Sequence, residues 1–139
     1  SLGISQLKKI NDFLLKRNKI AKFYNTNFKK LYPYILLPNY EKKNFSSYHL
    51  YIFSINFKLL KKNKNHFFKY MLNKKIIFQY HYKPIYTFSM YKNKKNLKDT
   101  EIYFKNSVSA PIYYKLNIKQ QKYIVKEVQD YIKKFKLKN

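Results

Sequence analysis

With 139 residues, of which 45% are hydrophobic, this chain is long enough to bury the core of one ordinary domain and too apolar to be disordered. It has no cysteine, which excludes disulfides and thiolate metal sites, and no apolar run approaches the length that crosses a membrane. A formal net charge of +25 would normally indicate a protein that binds nucleic acid or another anionic surface.

The first predicted element is a long amphipathic helix from residue 4 to about residue 29. Its apolar residues recur at steps of three and four, and Pro33 ends it. Such a helix would be about 39 Å long, so its N-terminal part is expected to pack on something outside this chain. The chain also starts without methionine and in what reads as the middle of a helix, which suggests a piece of a longer chain.

Two strands and a second helix are predicted next. A short strand covers 34–37 and stops at Pro38, a polar loop covers 39–47, and the clearest strand covers 48–57. The nearly continuous apolarity of that strand predicts burial on both of its faces. A helix over 64–74 follows. Its predicted apolar side consists of Phe67, Phe68, Met71 and Leu72.

A strand over 76–81 then leads into a loop that Pro84 stiffens. Alternation places Ile76, Phe78 and Tyr80 on one face and Ile77, Gln79 and His81 on the other. The strand therefore delivers polar groups to its C-terminal end, where a ligand could bind. On composition alone, an aromatic strand followed by an ordinary surface turn explains the same residues.

The remaining elements are mostly helical. One helical turn is predicted over 88–92, and a short helix capped by Asp99 or Thr100 runs to about Asn106. A short extended piece over 108–110 precedes the last helix. That helix begins at Asn117, with Gln120 as its capping-box partner. The predicted fold class is α/β (α+β), a small sheet with helices packed on it in a single domain over 1–139.

No self-contained catalytic constellation is present in the sequence. The three histidines lack metal-ligand spacing, and the single glycine rules out a glycine-rich phosphate loop. The six acidic residues are predicted to be mostly solvated surface charge. Apart from the segment around His81, the loop Phe45-Ser46-Ser47-Tyr48-His49 at the head of a strand is the second candidate for contact with a ligand.

Genome base composition explains the charge more simply than ligand selection does. The positive residues are nearly all lysine, with Arg17 the only arginine, and asparagine, isoleucine, tyrosine and phenylalanine are abundant. Lysine and these four residues all have A/T-rich codons. A protein that grips phosphates is expected to use more arginine, because the guanidinium group binds an oxyanion through two hydrogen bonds. A lysine-rich nucleic-acid-binding module therefore stays an alternative, as does a structural domain whose ligand site has lapsed.

Several motifs in order resemble those of the DegT/DnrJ-type sugar aminotransferases. The matching residues are Leu2-Gly3-Ile4-Ser5-Gln6-Leu7-Lys8-Lys9, Lys16-Arg17, Tyr24, Ser46-Ser47-Tyr48-His49-Leu50-Tyr51, Gln79-Tyr80-His81-Tyr82-Lys83-Pro84-Ile85-Tyr86, Glu101, Tyr103 and Ser109-x-Pro111. The resemblance covers nearly all of this chain but only about the last third of such an enzyme. The segment from Gln79 is most similar to the branch of the family that aminates C4 of a UDP-4-keto-6-deoxy amino sugar in pseudaminic acid biosynthesis.

The resemblance implies the C-terminal small domain of a fold-type I aminotransferase, with a mainly antiparallel sheet. A large domain upstream would hold pyridoxal 5'-phosphate and the Schiff-base lysine, so none of the lysines here takes that role and the piece alone is expected to be inactive. The implied enzyme is a cytoplasmic homodimer without membrane contact. It would use a UDP-linked keto sugar and an amino donor such as glutamate.

The resemblance also implies which residues meet the substrate. His81 and Lys83 would lie near the phosphates, Tyr82 and Tyr86 would lie against sugar or base, and His49 is assigned to the same substrate. Two positions depart from the family pattern. Lys75 stands where relatives have a glycine, and because a left-handed residue costs lysine about 1 kcal/mol or more, the turn is expected to be built differently. Phe78 stands where a small residue is common in the family, so its ring needs additional space in the core.

Overall fold

The long N-terminal helix is interrupted once. The computed structural model describes residues 2–38, 46–91 and 97–136. It shows α1 over Leu2–Leu7, a turn at Lys8 and Lys9, and α2 over Ile10–Phe28, which a 3-10 turn at Lys29–Leu31 extends. The predicted extent of this helix is confirmed apart from that interruption. The Lys9 N–H group donates to the Gln6 carbonyl at 3.0 Å, a three-residue step that closes α1 before α2 begins.

Four short strands form one antiparallel sheet in the described part of the chain. They are β1 (Ile35–Leu36), β2 (Tyr51–Ile55), β3 (Gln79–Tyr80) and β4 (Ser107–Ala110), in the order β1-β2-β4-β3. Both outer strands, β1 and β3, are two residues long. The predicted fold class is confirmed, because helices accompany a small antiparallel sheet.

Only one face of β2 is fully buried, although the neighbouring β4 is buried on both faces. Tyr51, Phe53 and Ile55 of β2 are buried, whereas Ile52 and Ser54 between them are half-buried. The prediction that β2 is buried on both faces is therefore wrong for its second face, which is only half-buried. On the buried face the aromatic rings pack on one another, with Phe28 5.0 Å from Phe53 between ring centroids. The other large side chains that are almost fully buried include Tyr24, Phe67, Met71, Leu116 and Tyr131.

Two of the helices after β2 follow their predicted patterns closely. Helix α3 covers Lys64–Asn73, and α5 covers Ile118–Phe135. The capping box of α5 is confirmed, because the Asn117 side chain accepts from the Gln120 N–H and the Gln120 side chain accepts from the Asn117 N–H. One residue of the α3 prediction is wrong. The Leu72 side chain is 61% exposed, since one step past the buried Met71 rotates it off the core face.

Strand β3 is shorter than predicted. Only Gln79 and Tyr80 pair with β4, so the strand expected over 76–81 is wrong in length. Its alternation is right nonetheless, because Ile76 and Phe78 are buried and Ile77 is 70% exposed. The space for Phe78 lies beside α3, where its ring meets Phe67 edge-on at 5.0 Å.

The turn between α3 and β3 uses a left-handed lysine. Lys75 has φ of 57°, so the expectation of a differently built turn is wrong. Its N–H donates to the Leu72 carbonyl at 2.8 Å, and the Ile76 N–H donates to the Met71 carbonyl at 2.9 Å. These bonds close the last turn of α3 and keep Lys75 in a conformation that favours glycine.

Replacing Lys75 by Gly is expected to stabilise the chain by about 1 kcal/mol. The substitution removes the steric cost of a left-handed Cβ, and the greater freedom of glycine in the unfolded state offsets part of that gain. Urea unfolding of the 139-residue chain measures the change. Lys69→Gly, in the interior of α3, is the matched control and should lose about 1 kcal/mol instead. Equal effects of the two substitutions would contradict the left-handed turn.

The stretch from Ile85 to Asn106 differs in detail from two of the predictions. Of the helical turn expected over 88–92, the described residues form one hydrogen-bonded turn, in which the Tyr91 N–H donates to the Phe88 carbonyl at 3.0 Å. A 3-10 turn precedes it at Ile85–Thr87, and residue 92 lies outside the described part. Helix α4 covers Lys98–Asn106 and ends as predicted. Its N-cap is Leu97 and no side chain caps it, so the Asp99 or Thr100 cap is wrong. Most of the polar loop predicted over 39–47 also lies outside the described residues.

Several apolar side chains of the first two helices remain uncovered. The exposed ones are Ile4, Leu7, Ile10 and Leu15. They lie on the N-terminal part of the helical stretch, where packing on something outside this chain stays a prediction. Among the helices that the structure describes, none is both long enough and apolar enough to span a membrane.

Candidate functional site

Residues 81–86 leave the edge of the sheet and are held at both ends by α4. The half-buried His81 ring lies 5.5 Å from the Tyr103 ring between centroids. At the other end, the Tyr86 hydroxyl donates to a Glu101 carboxylate oxygen at 2.7 Å. Pro84 between them is buried. The segment is therefore an anchored loop rather than a free surface turn.

Between these two anchors the loop turns polar and aromatic groups outward. The Tyr82 side chain is 79% exposed, and Lys83 is exposed with its Nζ 5.2 Å from the centre of the Phe88 ring. Lys83 makes no ion pair with any residue that the structure describes. The structure thus brings His81, Tyr82, Lys83 and Tyr86 together on one loop, and the ammonium group of Lys83 is available to an external anion.

A buried lysine lies behind this loop. Lys64 is 7% exposed, and its Nζ donates to the carbonyl oxygens of Phe104 and, at 3.1 Å, of Ser107. The same Nζ lies 4.5 Å from the centre of the Phe104 ring and 5.6 Å from that of Tyr80. Lys64 therefore ties α3 to the end of α4 and to β3, immediately before His81. The sequence did not single it out, although it precedes Phe67 by three residues and so shares the buried face of α3.

The surroundings of His81 and Tyr86 shift the pKa of each side chain. Burial, and then the positive charge of Lys64, lower the pKa of His81 below its ordinary value. Burial, and then the hydrogen bond to Glu101, raise the pKa of Tyr86. At neutral pH His81 is therefore a neutral hydrogen-bonding group, and Lys83 is the cation of the loop. This combination suits a phosphate group, which accepts hydrogen bonds from both kinds of donor.

The structure does not bring His49 together with this loop. His49 precedes β2, whose Tyr51 pairs with Ala110 at the end of β4, whereas His81 follows Tyr80, which pairs with Val108 near its start. The two histidines lie toward opposite ends of β4. His49 is exposed and lines a separate cavity of about 710 Å³. No group of three His, Cys, Asp or Glu residues in the described ranges is placed to hold a metal ion.

Comparison with protein families gives one match over most of the chain. The model of the DegT/DnrJ/EryC1/StrS aminotransferase family matches residues 1–129. Two curated relatives, from Campylobacter jejuni serotype O:2 and from serotype O:23/36, are both named UDP-4-amino-4,6-dideoxy-N-acetyl-beta-L-altrosamine transaminase. They are 35% identical over 130 residues and 33% identical over 129 residues, each match covering 89% of this chain. The chain spans about a third of the relatives' length, 33% in both cases.

Solved structures share the fold. Helicobacter pylori PseC, described as an aminotransferase involved in the biosynthesis of pseudoaminic acid, superposes with a TM-score of 0.87 at 31% identity, covering 96% of this chain and 36% of PseC. The aminotransferase TlmJ from Streptoalloteichus hindustanus has a TM-score of 0.86 at 17% identity, covering 95% and 35%. The PLP-form of the putative sugar aminotransferase Spr1654 from Streptococcus pneumoniae has a TM-score of 0.82 at 24% identity, covering 96% and 35%.

Proposed function

Because the chain belongs to the DegT/DnrJ/EryC1/StrS aminotransferase family, we propose that it is the substrate-recognition domain of a longer enzyme that aminates a nucleotide-linked sugar. The identity to the two Campylobacter transaminases supports a UDP-linked 4-keto-6-deoxy amino sugar as the substrate and C4 as the aminated carbon. The complete enzyme is proposed to be a cytoplasmic homodimer that takes its amino group from a donor such as glutamate. The nucleic-acid alternative gains no support from the comparisons.

Pyridoxal 5'-phosphate is the proposed cofactor, held outside the described part of this chain. When bound, it supplies the electron sink for transfer of the amino group. The described residues do not themselves fit it. Lys64 is the only lysine buried among them, and its Nζ is occupied by two carbonyl oxygens with no carboxylate in ion-pair contact. We therefore derive no step of the reaction through the cofactor and assign this chain to substrate binding.

The observation that carries this assignment is the loop held on α4 by His81 and Tyr86. A diphosphate needs cationic or hydrogen-bonding groups that are fixed before the ligand arrives, because ordering them on binding costs free energy. Lys83 supplies the cation and His81 a neutral donor, and the exposed Tyr82 ring offers an apolar face for sugar or base. His49 is proposed to touch the same substrate only if that substrate extends along β4.

The decisive experiment assays the complete enzyme with a UDP-4-keto-6-deoxy amino sugar and glutamate. Mass spectrometry is expected to show the 4-amino sugar nucleotide, and the 139-residue chain alone is expected to give none. Salt-dependent RNA binding by the complete enzyme, measured beside the assay, serves as the counter-test. A complete enzyme that aminates no UDP-linked keto sugar but binds RNA tightly would overturn the proposal.

A further inference from the structure

A cavity of about 710 Å³, which we call the Arg17 cavity, opens at the end of the sheet where β2 starts and β4 ends. Its floor is apolar and includes the buried Leu116 and Ile124. Its polar lining residues include Arg17, His49, Lys75, Gln79 and Gln120. Pockets of roughly 300–1,000 Å³ with an apolar lining and a few converging polar groups are typical of small-molecule sites. Its dimensions and lining therefore suit an organic ligand.

The charge on the walls of this cavity is positive. Arg17 and Lys75 are its charged residues, and none of the described residues that line it is acidic. Arg17 is half-buried, and its Nε is buried without a hydrogen-bond partner among the residues that the structure describes. It is also the only arginine in the chain. Because Nε itself is closed to solvent, a ligand in the cavity would meet the remaining accessible part of the Arg17 side chain rather than this atom.

We propose that the Arg17 cavity binds a small organic oxyanion, a carboxylate or phosphate ester with an apolar or planar body. The guanidinium of Arg17 holds the anionic group, Lys75 adds positive charge, and the body lies on the apolar floor. The amide nitrogen of Gln120 is free to donate, since its oxygen is the atom engaged in the capping box of α5. This site goes beyond the proposed function, because none of its lining residues belongs to the 81–86 loop.

A small molecule fits these observations better than a protein side chain does. A single carboxylate reaching in from another part of the enzyme would neutralise Arg17 but would leave most of the 710 Å³ unfilled. Solvent would then enter the open cleft and stay in contact with its apolar floor, which is unfavourable. An anion with an apolar body satisfies the charge and covers the floor together.

Titration calorimetry on the complete enzyme tests the proposal with three probes: succinate, UMP and inorganic phosphate. Succinate or UMP is expected to bind, and Arg17→Gln is expected to weaken that binding by about 10- to 100-fold, the effect of losing a charge-assisted hydrogen bond. Lys19→Gln removes an exposed charge from the same helix and is the matched control. The organic probe whose binding Arg17→Gln weakens identifies the anionic group as carboxylate or phosphate.

The variants also separate this cavity from the substrate loop. Lys83→Met should leave the affinity for succinate unchanged, and equal weakening of succinate binding by Lys83→Met would place this probe on the 81–86 loop and overturn the cavity site. Binding of inorganic phosphate alone, or equal affinity in Arg17→Gln, would also overturn it. Arg17→Lys keeps the charge and is used if Arg17→Gln does not fold. The amination assay is independent, so a failed cavity does not count against the proposed function.

Discussion

Replacing Lys83 by Met in the complete enzyme is expected to raise the KM for the UDP-linked keto sugar by about 10- to 100-fold, with kcat changed less than about threefold. A hydrogen bond to a charged partner is worth about 1.5–3 kcal/mol, and about 1.4 kcal/mol corresponds to a factor of ten. The phosphates do not change during amination of the sugar, so the contact is equally strong in the ground and transition states. Its loss therefore appears in KM rather than in kcat.

Steady-state kinetics on the Lys83→Met enzyme check this result beside a Lys98→Met control. Lys98 is exposed on the first turn of α4, so its removal takes away the same charge without the proposed contact. Rising salt should weaken substrate binding in the wild type more than in Lys83→Met, because the contact between ammonium and phosphate is screened. If the KM values of the two variants agreed within a factor of about two, Lys83 would have no place in the substrate site.

Replacing Lys64 by Met is expected to lower the free energy of unfolding by about 1.5–3 kcal/mol, because two carbonyl oxygens lose a charged donor. Methionine keeps the apolar stem between the rings of Phe104 and Tyr80, so the loss reports the hydrogen bonds more than the packing. The pKa of His81 should rise at the same time. The positive charge of Lys64 disfavours the imidazolium, and the substitution removes that charge.

Urea unfolding and an NMR titration of the histidine ring protons measure the two effects of Lys64→Met separately. Lys69→Met, on the exposed side of α3, is the control and should change the unfolding free energy by less than about 0.5 kcal/mol. A Lys64→Met chain with unchanged stability and an unmoved His81 titration would show that Lys64 does not support the loop. If Lys64→Met lowered the free energy of unfolding but left the pKa of His81 unchanged, Lys64 would stabilise α4 without influencing His81.

Helix α5 was predictable because its local signals and its tertiary packing agree. The capping box fixes its start at Asn117, and a stripe from Ile124 to Phe135 faces the core. Strand β3 was only half predictable. The alternation of Ile76, Ile77 and Phe78 reads correctly from sequence, but their pairing depends on which residues of β4 lie opposite, and only Gln79 and Tyr80 find partners there.

Charged residues on buried faces were missed because charge was taken to mean exposure. Glu127 was predicted to be solvated but is 3% exposed, which is a correction. It lies three residues after Ile124 and so falls on the apolar stripe of α5. The Nζ atom of Lys74 lies 3.3 Å from one carboxylate oxygen of Glu127, and that of Lys126 lies 3.7 Å from the other. The pattern that placed Ile124 in the core was therefore sufficient to place Glu127 there as well.

The candidate site, too, could be predicted from the sequence only in part. The loop itself was identified from its motif, since His81, Tyr82, Lys83 and Tyr86 are contiguous in sequence. Its anchors, Tyr103 and Glu101, were matched from sequence only as positions of the family's short helix, and their contacts with the loop could not be predicted. They come from α4, and their role exists only because α4 packs beside β3. Positions that act through such long-range contacts carry no local signal.

The two-residue edge strands determine how this domain can meet a neighbour. An exposed sheet edge usually recruits another chain through its backbone groups, and here β1 and β3 give such a chain almost no backbone to pair with. A neighbour must therefore recognise side-chain shape on the helices, and α1 with the start of α2 presents the uncovered apolar residues for it. Assembly of the longer enzyme would then be a matter of helix packing, and the sheet would remain closed to strand exchange.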